Sequence, residues 1–214
     1  MSLLNTTVNC QERKNSLKRL QSPTDADRLQ WIFGAYFQNR DFRIGDDLEV
    51  PLFFGTEVGE STYDQTTYAG FAQVDYEPTE DLTLTAGLRY EYWQEELNRD
   101  AQTFELFDGT TAPASFFPVS EISDSDIDGD VWQPKFAVNY QFSPNVAAYG
   151  SISCGYRPGT YNSLTFTDDE LFVEPENSWN YEIGLKTSWL DNRLGINLAA
   201  FYNDIDSVQV AGVR

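Results

Sequence analysis

Apolar residues recur at every second position through several stretches of this chain. From Leu82 to Tyr92 the sequence LTLTAGLRYEY puts Leu82, Leu84, Ala86, Leu88, Tyr90 and Tyr92 on one face. Thr83, Thr85, Gly87, Arg89 and Glu91 fall on the other. A period of two predicts a strand, because successive side chains point to opposite faces of a sheet. The same template fits Trp132 to Phe142, Trp179 to Trp189, Leu194 to Tyr202 and the row Leu29, Trp31, Phe33, Ala35, Phe37. Tyr68 to Tyr76 and Val146 to Ser153 alternate less cleanly, and a first strand near Leu17 to Gln21 is the weakest of the set. About eight strands are expected.

Several of these strands run to roughly ten residues, longer than the soluble mode of about five or six and long enough to cross a bilayer when tilted. Apolar rows suit lipid, while Arg89, Lys135, Glu182 and Lys186 on the opposite rows suit a hydrated lumen. Leu84, Leu88, Val138, Ile183 and Leu198 are the expected lipid-facing positions. Tyr92, Trp93, Trp132, Trp179 and Trp189, near strand ends, would form aromatic girdles at the headgroup levels. Short connections (Pro23 to Asp27, Glu77 to Asp81, Ser143 to Asn145, Asp191 to Asn192) alternate with long polar ones (Asp41 to Thr66, Gln94 to Asp130, Gly155 to Asn177). In an up-and-down barrel every second connection emerges on the same side, which explains that alternation. The expected fold is therefore all-β, an antiparallel up-and-down transmembrane barrel of which about eight strands are present.

Composition changes this picture in three ways. Aromatic residues make up 15% of the 214 positions, while mean hydropathy is only −0.46, as expected where alternate residues meet lipid. A net charge of −20 argues against nucleic acid as a partner, since phosphate binding needs clustered Lys and Arg. The chain has no His, so the commonest general base and metal ligand is missing; Cys10 and Cys154 suggest neither a disulfide framework nor a metal site.

Candidate chemistry is sparse. Asp124, Asp126 and Asp128, followed by Gly129, match the opening of an EF-type calcium loop, but position 12 is Lys135 where a bidentate Glu is needed. A solvated acidic loop is the expected reading. Glu174 with Glu176, or Asp168 and Asp169 with Glu170, could pair as acid and base in a glycosidase, but acidic runs in exposed loops are far more often solvation. No catalytic residue, cofactor or enzymatic activity is expected. Tyr156, Arg157 and Tyr161 are candidate ligand contacts in a loop over the barrel mouth, together with Phe116, Phe117 and Phe166; the aromatic residues among them could equally pack loops together.

Three segments then resemble the central barrel of TonB-dependent outer-membrane receptors: Thr66 to Tyr92, Trp132 to Asn162 and Glu174 to Val210. The Trp132-x-Pro134-Lys135 strand start, the Gly155-Tyr-Arg-Pro-Gly159 segment and the Pro175-Glu176…Tyr181-Glu182-x-Gly184-x-Lys186 segment together carry that resemblance, which covers roughly Arg19 to Val210. It implies a wall of 22 strands closed around a plug domain. It also implies uptake of ferric siderophores or similar scarce nutrients, driven by a TonB complex that pulls on the plug, in the outer membrane of a bacterium. Departures are expected to matter. Residues 1–18 read as an atypical N-terminal segment, with residues 19–214 as a partial barrel truncated at both ends. No export signal, plug, TonB box or closing aromatic strand is visible, and Cys154 stands where the family more often has a polar residue. Such a fragment is not expected to transport by itself. Two other readings stay open: a complete small outer-membrane barrel with a structural or adhesive role, and a soluble carbohydrate-binding β-sandwich.

Overall fold

The computed structural model describes residues 4–23, 28–50, 55–101, 103–112, 121–162, 171–191 and 193–209, with side chains described outside 4–12, 46–50, 112 and 124. Every regular element among them is a strand. Eight long strands form one sheet in chain order: β1 (Leu4–Gln21), β2 (Leu29–Val50), β3 (Gly55–Thr79), β4 (Leu82–Arg99), β7 (Ile122–Ser143), β8 (Val146–Arg157), β11 (Glu176–Trp189) and β12 (Leu194–Asp206). Each pairs antiparallel with the next. Two short strands, β5 (Thr103–Leu106) and β6 (Thr111–Ala112), extend the sheet beside β3. β9 (Thr160–Tyr161) and β10 (Phe172–Val173) form a separate two-stranded hairpin.

The register stacks the alternating rows as their period requires. Tyr76, Leu84 and Val138 stand opposite one another across β3, β4 and β7, and Ala72, Leu88 and Pro134 do the same. These rows form the outward face, where Leu88 is 44% exposed, Val138 42%, Ile183 67% and Leu198 63%. The opposite rows hold Arg89, Glu91, Glu182 and Lys186, whose charges find partners on that face. Arg89 pairs with Glu91, Tyr149 donates to Glu182 at 2.5 Å, and Lys186 lies 5.2 Å from the Tyr149 ring centre. Apolar side chains are therefore outside and polar ones inside, the inverse of a water-soluble sheet and the arrangement of a membrane-spanning wall. Among the described residues the second sheet is only the two-stranded hairpin β9–β10, too small to make a sandwich with the main sheet, and β1 does not pair with β12 to close a small barrel.

Four details differ from the sequence reading. The long polar connections are largely strand: β2 runs on to Val50 and β3 begins at Gly55, with every residue between Asn39 and Val50 in register with β3. Polar cross-strand pairs line the outward face of this extension, including Arg43–Glu60 at 3.0 Å and Asn39 to Asp64 at 2.9 Å. A period-two search for apolar residues does not register such pairs. Second, the first strand, expected near Leu17 to Gln21, extends back to Leu4 and stays paired with β2, interrupted by one bulge between Cys10 and Glu12. Third, Trp93 is not in a girdle. Its neighbour Tyr92 faces outward, so period two turns Trp93 inward, where it is 4% exposed. Fourth, the turn between β11 and β12 begins one residue earlier, with Leu190 and Asp191 both at positive φ (52° and 55°), the twist that tight hairpins favour.

Inward glycines seat cross-strand aromatic rings. The Tyr149 ring lies over Gly184 on β11 so closely that a Cβ there would come within 2.3 Å of Cε1. Gly184→Val should therefore displace Tyr149 and break its hydrogen bond to Glu182, at a cost of about 1–3 kcal/mol. Urea unfolding of the variant in detergent micelles checks this, and a midpoint equal to that of the parent would refute the packing role.

Candidate functional site

The inward face is concave, because residues far apart along the sheet meet over it. Tyr36, Gln38 and Arg40 of β2, Gln65 and Thr67 of β3, and Arg89 and Glu91 of β4 line one cavity of about 610 Å³. The same cavity is lined by the segment Arg157 to Thr160, which begins at the last residue of β8, and by Gln209, which follows β12. Neighbouring strands lie about 4.8 Å apart, so β2 and β12, six places apart, would be separated by nearly 30 Å in a flat sheet. Folding of the segment after β8 back over β3 and β4 brings these groups together.

That fold-back rests on Glu95. Inward parity with Arg89, Glu91 and Trp93 buries Glu95 to 2% exposure. Its carboxylate accepts from the Thr160 hydroxyl and the Tyr161 backbone N–H, both at 2.8 Å, and from the Gln65 amide. A buried carboxylate needs several donors to offset its lost hydration, and these supply them. Tyr161 then enters an apolar cluster with Phe42, Tyr63 and Leu97. Its hydroxyl lies 2.8 Å from Ser125 Oγ, and its carbonyl accepts from the Tyr63 hydroxyl at 3.3 Å. Phe42 and Tyr63 stack at 4.7 Å between centroids. From the other side, the Gln209 side-chain amide donates to the carbonyls of Pro158 and Glu174 at 2.9 and 2.8 Å, while its backbone N–H donates to Glu176 at 2.9 Å.

The three sequence-derived ligand candidates thus part company. Tyr161 is buried and anchors the segment. Tyr156 accepts a hydrogen bond from the Trp93 indole at 2.6 Å, tying the end of β8 to β4 where β7 and β8 have stopped pairing. Arg157 alone is exposed and lines the cavity. It is joined there by Arg40, whose guanidinium sits 4.5 Å from the Phe42 ring centre, and by Arg89, 5.6 Å from that of Tyr36. Phe116, Phe117, Phe166 and Asp168 to Glu170 lie outside the described residues. Sequence reading passed over Arg40, Glu95, Thr160 and Gln209. Parity could have flagged Glu95 as inward, but nothing in the sequence pairs it with Thr160, 65 positions away.

The acidic stretch Asp124 to Asp130 is part of β7 rather than a loop. Alternate residues of a strand are about 6.8 Å apart on one face, so Asp126 and Asp128 do not converge as an EF loop requires, and Ile127 between them packs inward on the Tyr161 cluster. Asp41, Asp64, Glu96 and Asp126 instead stand in one outward row across β2, β3, β4 and β7, beyond the aromatic layer of Phe37, Tyr68 and Tyr92. Burial, with the neighbouring Asp41 and Glu96 carboxylates, raises the pKa of Asp64 above the ordinary range. Asp108, in the turn after β5, is shifted the other way by the Thr110 hydroxyl and amide, which donate to it at 2.7 and 2.9 Å.

A family model described as the TonB dependent receptor-like β-barrel matches residues 5–214. The chain belongs to that family. It is a family of receptors rather than a class of enzymes. Among curated relatives, the metal-pseudopaline receptor CntO of Pseudomonas aeruginosa is 38% identical over 69 residues, 32% of this chain and 9% of the relative. The rhizobactin receptor of Rhizobium meliloti is 27% identical over 157 residues, 65% of this chain and 20% of the relative. The chain thus matches a fifth or less of these relatives' length. In fold it is similar to the ferric yersiniabactin uptake receptor FyuA of Yersinia pestis (TM-score 0.77, 17% identity, 98% of this chain and 30% of that one). It is also similar to the ferric-catecholate import receptor Fiu of E. coli K12 (TM-score 0.52, 16% identity, 83% of this chain and 31% of that one). The open eight-stranded path is thus a section of a TonB-dependent receptor barrel.

Proposed function

We propose that this chain forms part of the wall of a receptor in the outer membrane of a Gram-negative bacterium. Its apolar outward rows face lipid, and its short turns lie on the periplasmic side. The receptor takes up a ferric siderophore or a similar scarce nutrient, with a TonB complex acting through a plug domain. The observation that carries this reading is the gathering of Arg40, Arg89 and Arg157 on one concave cavity in a chain whose net charge is −20. Ferric complexes of catecholate or carboxylate chelators carry negative charge, and guanidinium groups bind such oxygens strongly. Arg157 is the direct contact in this reading, while Tyr156 and Tyr161 hold its segment in place.

Titration of the chain in detergent micelles, followed by tryptophan fluorescence, tests the ligand class. An anionic ferric tris-catecholate should bind more tightly than a neutral ferric tris-hydroxamate. Replacing Arg40 and Arg157 together by Ala should weaken the anionic complex at least about tenfold, or roughly 1.4 kcal/mol. Equal binding of the two chelates, or no change in the double variant, would overturn the assignment. By itself the wall binds without transporting. Expressed alone behind an export signal in a receptor-deletion strain, it should restore no uptake; TonB-dependent uptake there would contradict that half of the reading.

A further inference from the structure

The outward rows of β1 to β4 and β7 are apolar between the short turns and the layer of Phe37, Tyr68 and Tyr92, with a single charged exception. That exception is Lys18. Its cross-strand partners fix its direction, since Lys18, Ala35, Gly70, Tyr90 and Trp132 stand opposite one another in one continuous row. The Lys18 side chain is exposed and has no hydrogen-bond or ion-pair partner among the described residues. A charge on a lipid-facing surface is costly unless it reaches the interface or meets a counter-charge.

A trench of about 380 Å³ begins at this lysine. Its floor is made by the small residues Ala35 and Gly70, and a Cβ added to Gly70 would meet nothing within 4 Å. Phe37 and Tyr68, 5.2 Å apart, wall one side, and Tyr90, packed 4.7 Å from Trp132, closes the far end. The row that holds Lys18 lies one pleat to the short-turn side of the row Ser16, Phe37, Tyr68 and Tyr92, whose rings stand over it.

Resting on the membrane-wall reading above, we propose that Lys18 and this trench form a binding site for an anionic glycerophospholipid. The ammonium takes the phosphate, and one acyl chain lies over Ala35 and Gly70 against the Phe37, Tyr68 and Tyr90 rings. The single cation selects the anionic headgroup, and the missing side chain at Gly70 leaves the volume that the chain occupies.

Lipids brominated on the acyl chain test this by quenching Trp132, whose signal is isolated by difference from a Trp132→Phe variant. For the chain in mixed micelles, brominated phosphatidylglycerol should half-quench Trp132 at a several-fold lower mole fraction than brominated phosphatidylcholine. Lys18→Gln should abolish that preference and leave the phosphatidylcholine curve in place. Gly70→Leu fills the trench without a clash and should weaken quenching by both lipids. Equal potency of the two lipids on the parent chain, or a preference that survives Lys18→Gln, would overturn the site. Failure of either lipid to quench Trp132 at any mole fraction would instead overturn the membrane-wall reading beneath it.

Discussion

Glu95→Leu should release the segment after β8 from the concave face. The substitution removes a buried carboxylate and leaves the Thr160 hydroxyl, the Tyr161 amide and the Gln65 side chain without the acceptor that holds them. Hydrogen bonds to a charged acceptor contribute about 1.5–3 kcal/mol each, and donors left buried without a partner add to the cost. The expected loss for the docked segment is about 3–5 kcal/mol. Hydrogen exchange at the Tyr161 amide is the direct measurement. A loss of 3 kcal/mol corresponds to about a hundredfold faster opening at roughly 1.4 kcal/mol per decade. Glu95→Gln keeps one oxygen acceptor and should show a smaller acceleration. Protection of Tyr161 that is unchanged in Glu95→Leu would mean that the apolar cluster with Phe42, Tyr63 and Leu97 holds the segment without the carboxylate.

Leu88→Arg should destabilise the wall far more than an arginine placed on the other face. Leu88 lies in an outward row between Ala72 and Pro134, midway along the apolar part of β4. An arginine facing lipid at that depth costs about 2–4 kcal/mol. Ser151, on the inward parity and paired with Glu182, offers the control. There Ser151→Arg meets a carboxylate in a hydrated setting and should shift stability by less than about 1 kcal/mol. Urea midpoints of the two variants in lipid-containing micelles decide the matter. Equal losses, or the larger loss at Ser151, would mean that the two faces of the sheet have been assigned the wrong way round.

The fold was legible in the sequence because the two faces of this sheet meet different solvents. Alternation of Leu84, Leu88, Val138 and Ile183 with Arg89, Glu182 and Lys186 is imposed position by position, so a reader of one strand can separate its faces without knowing the neighbours. Where that contrast fades, the reading fell short. Beyond Asn39 and Gln94 the outward face meets water as well and continues on polar pairs such as Arg43 with Glu60, while the inward face is the buried cluster of Phe42, Tyr63 and Leu97. The N-terminal half of β1 was missed for a related reason: its pairing with β2 lies in backbone register, which side-chain pattern only reflects where one face is buried. The candidate site depended still more on tertiary structure. Arg157 and Tyr161 could be named from the sequence, but not that one would face the cavity while the other turned into an apolar cluster. That difference arises from Glu95, a residue whose partners are 65 and 66 positions away. The trench at Lys18 has the same character, since it exists only because the register sets a lysine, an alanine, a glycine and a tyrosine from four strands side by side. Alternation within a strand is a local consequence of backbone geometry, and the sequence determines it alone. The alignment of one strand against another is set by hydrogen-bond register over the whole sheet, and only the folded chain decides it.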